Sequence, residues 1–574
     1  MPHAALSPVR RRIDWPIKEM LLLAYLALGW GGIVERVLSL GLSIALPIYL
    51  ALLGALVLAL LLVSRIAQDA LRWTLAVLLF VSAAFMAANE QITGQHFTYE
   101  SFLNMLDAAG FFGDALAQHG NRMALAALTA LPLLLGIGVR PRAGSQLWGK
   151  TFGWTAGVAV PVAVLIGFTS MLFMRGGDGA RGLPGTWPPI AYALLLGSER
   201  ATRPSIEPHD VELIPGRPRA AGDIVLLIDE SIAPTYLDIN DPAGVRSGLA
   251  EARPGIVIHN FGIGAAVTHC ILGSNLTLRH GGTRDDYQLR NATGPTIWQY
   301  AKRAGYRTVY LDAQRTGGAF QNGMDAAEAA AIDRFVQFGD VDVIDRDHAL
   351  AERLSEYLRD DVRDVIVVNK IGAHFPVQAK YPEHASRYAP VPSRARFAGI
   401  VDTASREGFD DSGEGWRRYR NAYRNTVEWN VGGFFDRLFT AGIGTATILY
   451  TADHGQDLNE IGRPGASTHC SSNPTPAEGA VPVVVLAGEG AGGPDWAAAA
   501  ATNANRASHY QFFPTLLALM GYPSGDYGAN LTMPLADELR FNKRFNARLG
   551  RMPEWLAIDP YALPRPPASD AGAR

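Results

Sequence analysis

The chain has 574 residues, 48% apolar and 18% charged, which suits a large buried core and excludes a disordered chain. Its formal net charge of -3, from 51 Lys and Arg against 54 Asp and Glu, removes the electrostatic basis for tracking a polyanion, so nucleic acid is not an expected partner. Two cysteines, Cys270 and Cys470, exclude a disulfide scaffold and a four-cysteine zinc module.

Five uncharged runs crowd the N-terminal third: Met20 to Val34, Val37 to Ser64, Trp73 to Asn89, Met123 to Val139 and Thr151 to Met174. Four reach or approach the length that spans a bilayer as a helix; the first is short and bounded by Lys18, Glu19, Glu35 and Arg36. The pattern predicts five transmembrane helices rather than the buried core of a soluble protein. Arg10, Arg11, Arg12 and Lys18 precede the first helix, Arg65 and Arg72 separate the second from the third, and Arg140, Arg142 and Lys150 separate the fourth from the fifth. The connection between helices three and four is acidic instead, so the N-terminus is expected to be cytoplasmic and everything after Met174 to lie across the membrane.

Residues 1–175 are thus read as a membrane domain. Residues 176–222, rich in Gly, Pro and Arg, read as a linker in which Trp187 to Leu196 would lie in the interface or dock as a loop. Residues 223–564 read as an α/β domain and 565–574 as a disordered tail. The α/β assignment rests on short apolar runs at Asp223–Ile228, Gly255–His259, Thr308–Leu311, Asp364–Val368, Thr447–Tyr450 and Val481–Leu486, with helical stretches between most of them, among them Trp416–Phe439 and Tyr510–Met520. Such alternation predicts a doubly wound, mostly parallel sheet covered on both faces.

Ligands of such sheets sit beyond the C-terminal ends of the strands. Three of those ends carry metal-type ligands: Glu230 after the first run, His374 after Asp364–Val368, and Asp453 with His454 after Thr447–Tyr450. Singly, each is more often a cap, a core histidine or a solvated carboxylate. Together, carboxylate oxygens and imidazole nitrogens suit Zn2+, with Mn2+ as the alternative, better than Ca2+ or Mg2+.

The order Glu230-Ser231, a threonine-bearing loop, His374, Asp453-His454-Gly455 and His469 resembles the phosphoethanolamine transferases of the alkaline phosphatase superfamily, membrane enzymes with a sulfatase-like periplasmic domain. Ala452 to Leu458 followed by Thr468-His469, His374-Phe375-Pro376, Tyr423 to Val427 and Ser508 to Met520 extend the likeness, as do the five helices ahead of them. It implies a bacterial inner-membrane protein that passes phosphoethanolamine from a phospholipid donor to an envelope glycolipid or glycan, with one or two zinc ions. Carried onto this chain, Glu230, Asp453, His454 and Thr268 would hold the metal, Thr268 would be the nucleophile that forms a phospho-threonine intermediate, and His374 and His469 would meet the substrate. Ser274, Thr277 and Ser231 are lesser nucleophile candidates. Convergence of Thr268 and His469 on one pocket would let Cys270 pair with Cys470 in an oxidising compartment; two buried free thiols are the alternative.

The chain departs from that family after Ser231, where the expected arginine and Gly-Tyr are missing, and before Thr268, which follows Ala265-Ala266-Val267. The head group and the acceptor therefore stay open, and a phosphoglycerol transferase using phosphatidylglycerol is the neighbouring alternative. A phosphatase, or a catalytically silent lipid-binding regulator on the same fold, completes the set.

Overall fold

The computed structural model describes residues 16–94, 96–107, 112–141, 155–202, 209–315, 323–394, 410–463, 468–471, 473–523, 527–536, 538–544 and 553–567. Arg10, Arg11, Arg12, Arg142, Lys150 and tail residues 568–574 lie outside them. The chain divides into two compact units, Met1–Arg203 and Pro204–Arg574.

The first unit is helical: α1 Ile17–Leu28, α2 Trp30–Leu40, α3 Ala45–Ser64, α4 Asp69–Thr93, α5 Tyr99–Asp107, α6 Phe112–Gly138, α7 Val160–Met174 and α8 Pro188–Thr202, with a π-helical turn Thr155–Ala159 leading into α7. Four stretches, Ala45–Ser64, Asp69–Thr93, His119–Gly138 and Gly157–Met174, are long and apolar enough to cross a membrane. The expected first span is instead a pair, α1 and α2, bent by 54° at Gly29, and it makes a fifth span if the pair crosses as one. Gly29, Gly31 and Gly32 weaken the helix there. Cations close one end of the bundle: Lys18 Nζ donates to Ile137 O and Val139 O at 2.8 and 2.6 Å, Arg72 Nε donates to Gly138 O at 3.2 Å, and Arg65 pairs with Glu19 at 2.8 Å. The positive charges meet the carbonyls that a helix C-terminus leaves unpaired. The segment expected to lie in the interface begins at Trp187 and forms most of α8.

The second unit is built on seven strands: β1 Ile224–Asp229, β2 Ile256–Ala265, β3 Arg307–Asp312, β4 Arg334–Gln337, β5 Asp364–Asn369, β6 Thr447–Ala452 and β7 Ala480–Gly488, in the order β2-β7-β6-β1-β5-β3-β4. All pairings are parallel except those of β7, which runs against β2 and β6. Six of these strands coincide with the apolar runs read from the sequence. Alternation sends Val225 and Leu227 of β1 into one core and Ile224, Leu226 and Ile228 into the other, so both faces of the sheet are covered. The stretch read as one helix over Trp416–Phe439 is a helix Gly413–Thr426, a π-helical turn Val427–Gly432 and a helix Gly433–Ala441. A small antiparallel pair, β8 Arg540–Asn542 and β9 Trp555–Ala557, follows.

Candidate active site

Strand order reverses at β1: β5 lies on one side of it and β6 on the other. This is the switch point at which loops splay apart beyond the strand ends. In register, Asp229 of β1 stands beside Ala452 of β6, so the next residues, Glu230 and Asp453, leave adjacent strands side by side. Ser231 holds the turn in the left-handed region, at φ 61°, where its N–H donates to Asp453 Oδ1 at 3.1 Å and its hydroxyl to Glu230 Oε1 at 2.8 Å. Gly372 is required on the other side. Its φ is +51°, and a Cβ there would lie 2.3 Å from Asp229 Oδ1 and 2.6 Å from Glu230 O.

Glu230, Asp453 and His454 each offer a ligand atom within 4.8 Å of the others, and all three are buried. His454 Nε2 lies 3.5 Å from both Glu230 Oε1 and Asp453 Oδ2. Its Nδ1 sits 2.8 Å from Gly455 O, a distance at which Nδ1 carries the hydrogen and Nε2 keeps its lone pair. His454 Nε2 and Asp453 Oδ2 are buried without a hydrogen-bond partner. Two carboxylates and an imidazole lone pair turned on one another out of water form a group that could hold a cation. Burial, with the charge of Asp453 next to it, pushes the Glu230 carboxyl well above the usual range when no cation is present. The donor set fits a divalent transition metal with mixed nitrogen and oxygen ligands.

Further contacts brace this group. Gln314, just after β3, donates to Glu230 Oε2 and to Lys370 O, both at 2.8 Å. Behind the ligands Lys370 Nζ lies 2.7 Å from Asp229 Oδ2 and 3.0 Å from Asn430 O, the latter within the π-helical turn. Asp347 accepts from Ile371 N and Gly372 N at 2.8 and 3.0 Å. These partners orient the strand ends that carry Glu230 and Asp453. Gln314 was open to the same strand-end rule that picks out Glu230, but an amide is not a typical metal ligand. The Asp229–Lys370–Asp347 cluster has no local sequence signature.

Thr268 lies in the loop after β2, with 1% of its surface exposed. Its Oγ1 donates to Cys270 O at 2.7 Å, and Cys270 is the N-cap of α9 Ile271–His280. Gly273 leaves room for it, since a Cβ there would stand 2.8 Å from Thr268 Cγ2 and 3.1 Å from Oγ1. Among the lesser candidates, Ser274 and Thr277 lie within α9, with hydroxyls turned back onto backbone at Thr268 O and Gly273 O. Cys270 and Cys470 form a disulfide, with Cα atoms 4.9 Å apart, and Cys470 N donates to His269 O at 3.0 Å. His469, next to Cys470, stacks on His454 with ring centroids 4.6 Å apart. The disulfide and the stacked rings therefore tie the Thr268 loop to the ligand cluster. Burial, reinforced by His454 and His374, pushes His469 well below the ordinary imidazole value and keeps it neutral. His374 is buried, with Nδ1 2.8 Å from Phe375 O, and stands outside the three-residue ligand group.

The family model described as Sulfatase matches residues 223–522. No curated protein matches the chain. Among solved structures the chain is similar to the integral membrane lipooligosaccharide phosphoethanolamine transferase A (EptA) from Neisseria meningitidis, at 18% identity and TM-score 0.60, covering 91% of this chain and 98% of that one. It is also similar to the C-terminal periplasmic domain of EcEptC from Escherichia coli in complex with Zn, at 17% identity and TM-score 0.46, covering 63% of this chain and 98% of that one. The first likeness spans both units and establishes a shared fold.

Proposed function

The chain belongs to the sulfatase family, and from that premise we propose that it is a membrane-embedded, metal-dependent transferase that moves phosphoethanolamine from phosphatidylethanolamine to an envelope glycolipid or glycan. The observation that carries the proposal is the buried Glu230–Asp453–His454 group, with two orphaned ligand atoms, tied through Cys270–Cys470 to the loop of a buried threonine. The Neisseria protein of the same fold is described as a phosphoethanolamine transferase, which supports the choice of head group. The disulfide supports a periplasmic site, with the apolar helices in the inner membrane and the N-terminus in the cytoplasm.

Glu230, Asp453, His454 and Thr268 would hold a Zn2+ or Mn2+ ion. Bound there, such an ion lowers the pKa of an alcohol and draws charge from phosphoryl oxygens. Thr268 Oγ1, freed of its proton, attacks phosphorus; the bond from phosphorus to the diacylglycerol oxygen breaks, and that oxygen takes a proton. An acceptor hydroxyl then attacks the phospho-threonine, gives up its proton and restores the Thr268 hydroxyl. His469 and His374 would exchange the protons of these two transfers.

Peptide mass spectrometry tests the reading. Detergent-purified protein incubated with phosphatidylethanolamine should carry a phosphoethanolamine mass on the Thr268 peptide, absent from Thr268→Ala. A phosphoglycerol mass after incubation with phosphatidylglycerol would reassign the donor. No adduct with either lipid, in protein shown to contain metal, would sink the transferase reading.

A further inference from the structure

Within the helical unit a cavity of about 490 Å3 opens beside the break between α1 and α2. That size falls in the range of small-molecule sites. It follows α4 from Ala83 to Gly94, about 16 Å at the helical rise. The two ends differ in chemistry. Ala83 and Met86 line the deep end, whereas Glu35, Glu90, Gln91 and His96 line the end at which α4 finishes. Among the described residues no Lys or Arg lines it.

The acidic groups are unequally committed. Glu35 pairs with Arg181, which stands outside the lining, and lies 3.5 Å from His96 Nε2. Glu90 accepts one backbone hydrogen bond, from Phe97 N at 3.3 Å, and the neighbouring Gln91 Oε1 is buried without a partner. Both residues sit in the last turn of α4, where Arg122 caps the backbone carbonyls of Gln91 and Ile92 at 3.0 and 3.2 Å and leaves the two side chains to the cavity. An acidic side chain retained in a membrane helix is a marker of function.

We propose that this cavity holds the head group and upper glycerol region of phosphatidylethanolamine, with the ammonium group at Glu90 and Gln91. Three N–H donors on one positive charge match a carboxylate and an unpaired amide oxygen, and the apolar deep end takes the methylenes nearest the glycerol. The choice of this lipid rests on the donor proposed above; the cavity lies wholly within the helical unit, so its occupancy is measured apart from whether Thr268 is a nucleophile.

The test measures retention without turnover. Full-length Thr268→Ala protein is equilibrated with mixed micelles holding equal amounts of phosphatidylethanolamine, phosphatidylcholine and phosphatidylglycerol, and the bound lipid is read by native mass spectrometry. Retention of phosphatidylethanolamine should exceed that of phosphatidylglycerol roughly tenfold, the worth of one hydrogen bond to a charged group. Phosphatidylcholine, cationic but without N–H donors, should fall between them. Adding Glu90→Gln should erase most of the preference, and Met86→Trp, which fills the deep end, should lower retention of all three lipids. Ala83→Val examines the same wall if Met86→Trp does not fold. Equal retention of the three lipids, or a preference that survives Glu90→Gln, overturns the assignment.

Discussion

Replacing Lys370 by Met removes the one cation from the buried cluster behind the ligand edge. Lys370 Nζ lies 2.7 Å from Asp229 Oδ2 and 3.7 Å from Asp347 Oδ2, with all three side chains at 0% exposure. Deleting one member of such a pair costs about 3–5 kcal/mol, because the partner is left charged and dry. At about 2.1 cal/mol/K of unfolding entropy per residue, spread over residues 204–574, this lowers the melting temperature by about 4–6 °C. The loss depends on pH. Burial, opposed by Lys370, already holds the Asp229 carboxyl up at about 6, and without the lysine it rises further. A carboxyl raised in the folded state binds more protons folded than unfolded, so the variant loses stability as pH rises through that value and is least affected below it. Differential scanning fluorimetry of full-length protein at about pH 5 and about pH 8 reads the effect. Asp229→Asn combined with Lys370→Met should recover most of the loss. A single variant that melts with the wild type, or a double variant that loses the sum of the singles, refutes the argument.

Two further outcomes are expected. Gly273→Ala sets a Cβ 2.8 Å from Thr268 Cγ2 and should slow formation of the Thr268 adduct by about tenfold to a hundredfold, as for a small misplacement of a reacting group; an unchanged rate in single-turnover measurement would show that Thr268 is not confined by α9. Glu328 is buried, yet Arg279 at 2.6 and 3.2 Å outweighs burial and holds its carboxyl well below the ordinary value of 4.5. The resulting stability is present above that ordinary value and is lost as pH falls toward the folded one, by up to roughly 1.4 kcal/mol per unit. Glu328→Gln should therefore flatten the acid limb of a melting-temperature profile, and an unaltered limb would discount the pair.

Five of the six strands legible in the sequence are buried on both faces, where continuous apolar runs such as Ile224–Ile228 and Val481–Leu486 are needed; β2, at the sheet edge with Val257 exposed, was legible only over its first half. β4, β8 and β9 escaped because Arg-Phe-Val-Gln, Arg-Phe-Asn and Trp-Leu-Ala are too short or too polar to stand out. The first apolar run was legible but its bend was not, since absence of charge says nothing about the glycines at positions 29, 31 and 32. Glu230, Asp453 and His454 could be picked out because strand ends are where ligands gather. Lys370 could not, because its partners Asp229 and Asp347 reach it only after β1 and β5 have paired.

The reversed direction of β7 bears on how this fold can diverge. Because β7 runs against β6, it starts at the edge where β6 ends. The connection between them thus leaves and rejoins the sheet at one rim without a crossover, and His454, His469 and Cys470 are among its described residues. Insertions in such a connection leave the strand register untouched. The disulfide at Cys470 pins this connection to the loop that carries Thr268, so added length beyond the pinned point would leave the strand ends that carry Glu230, Asp453 and His454 as they are.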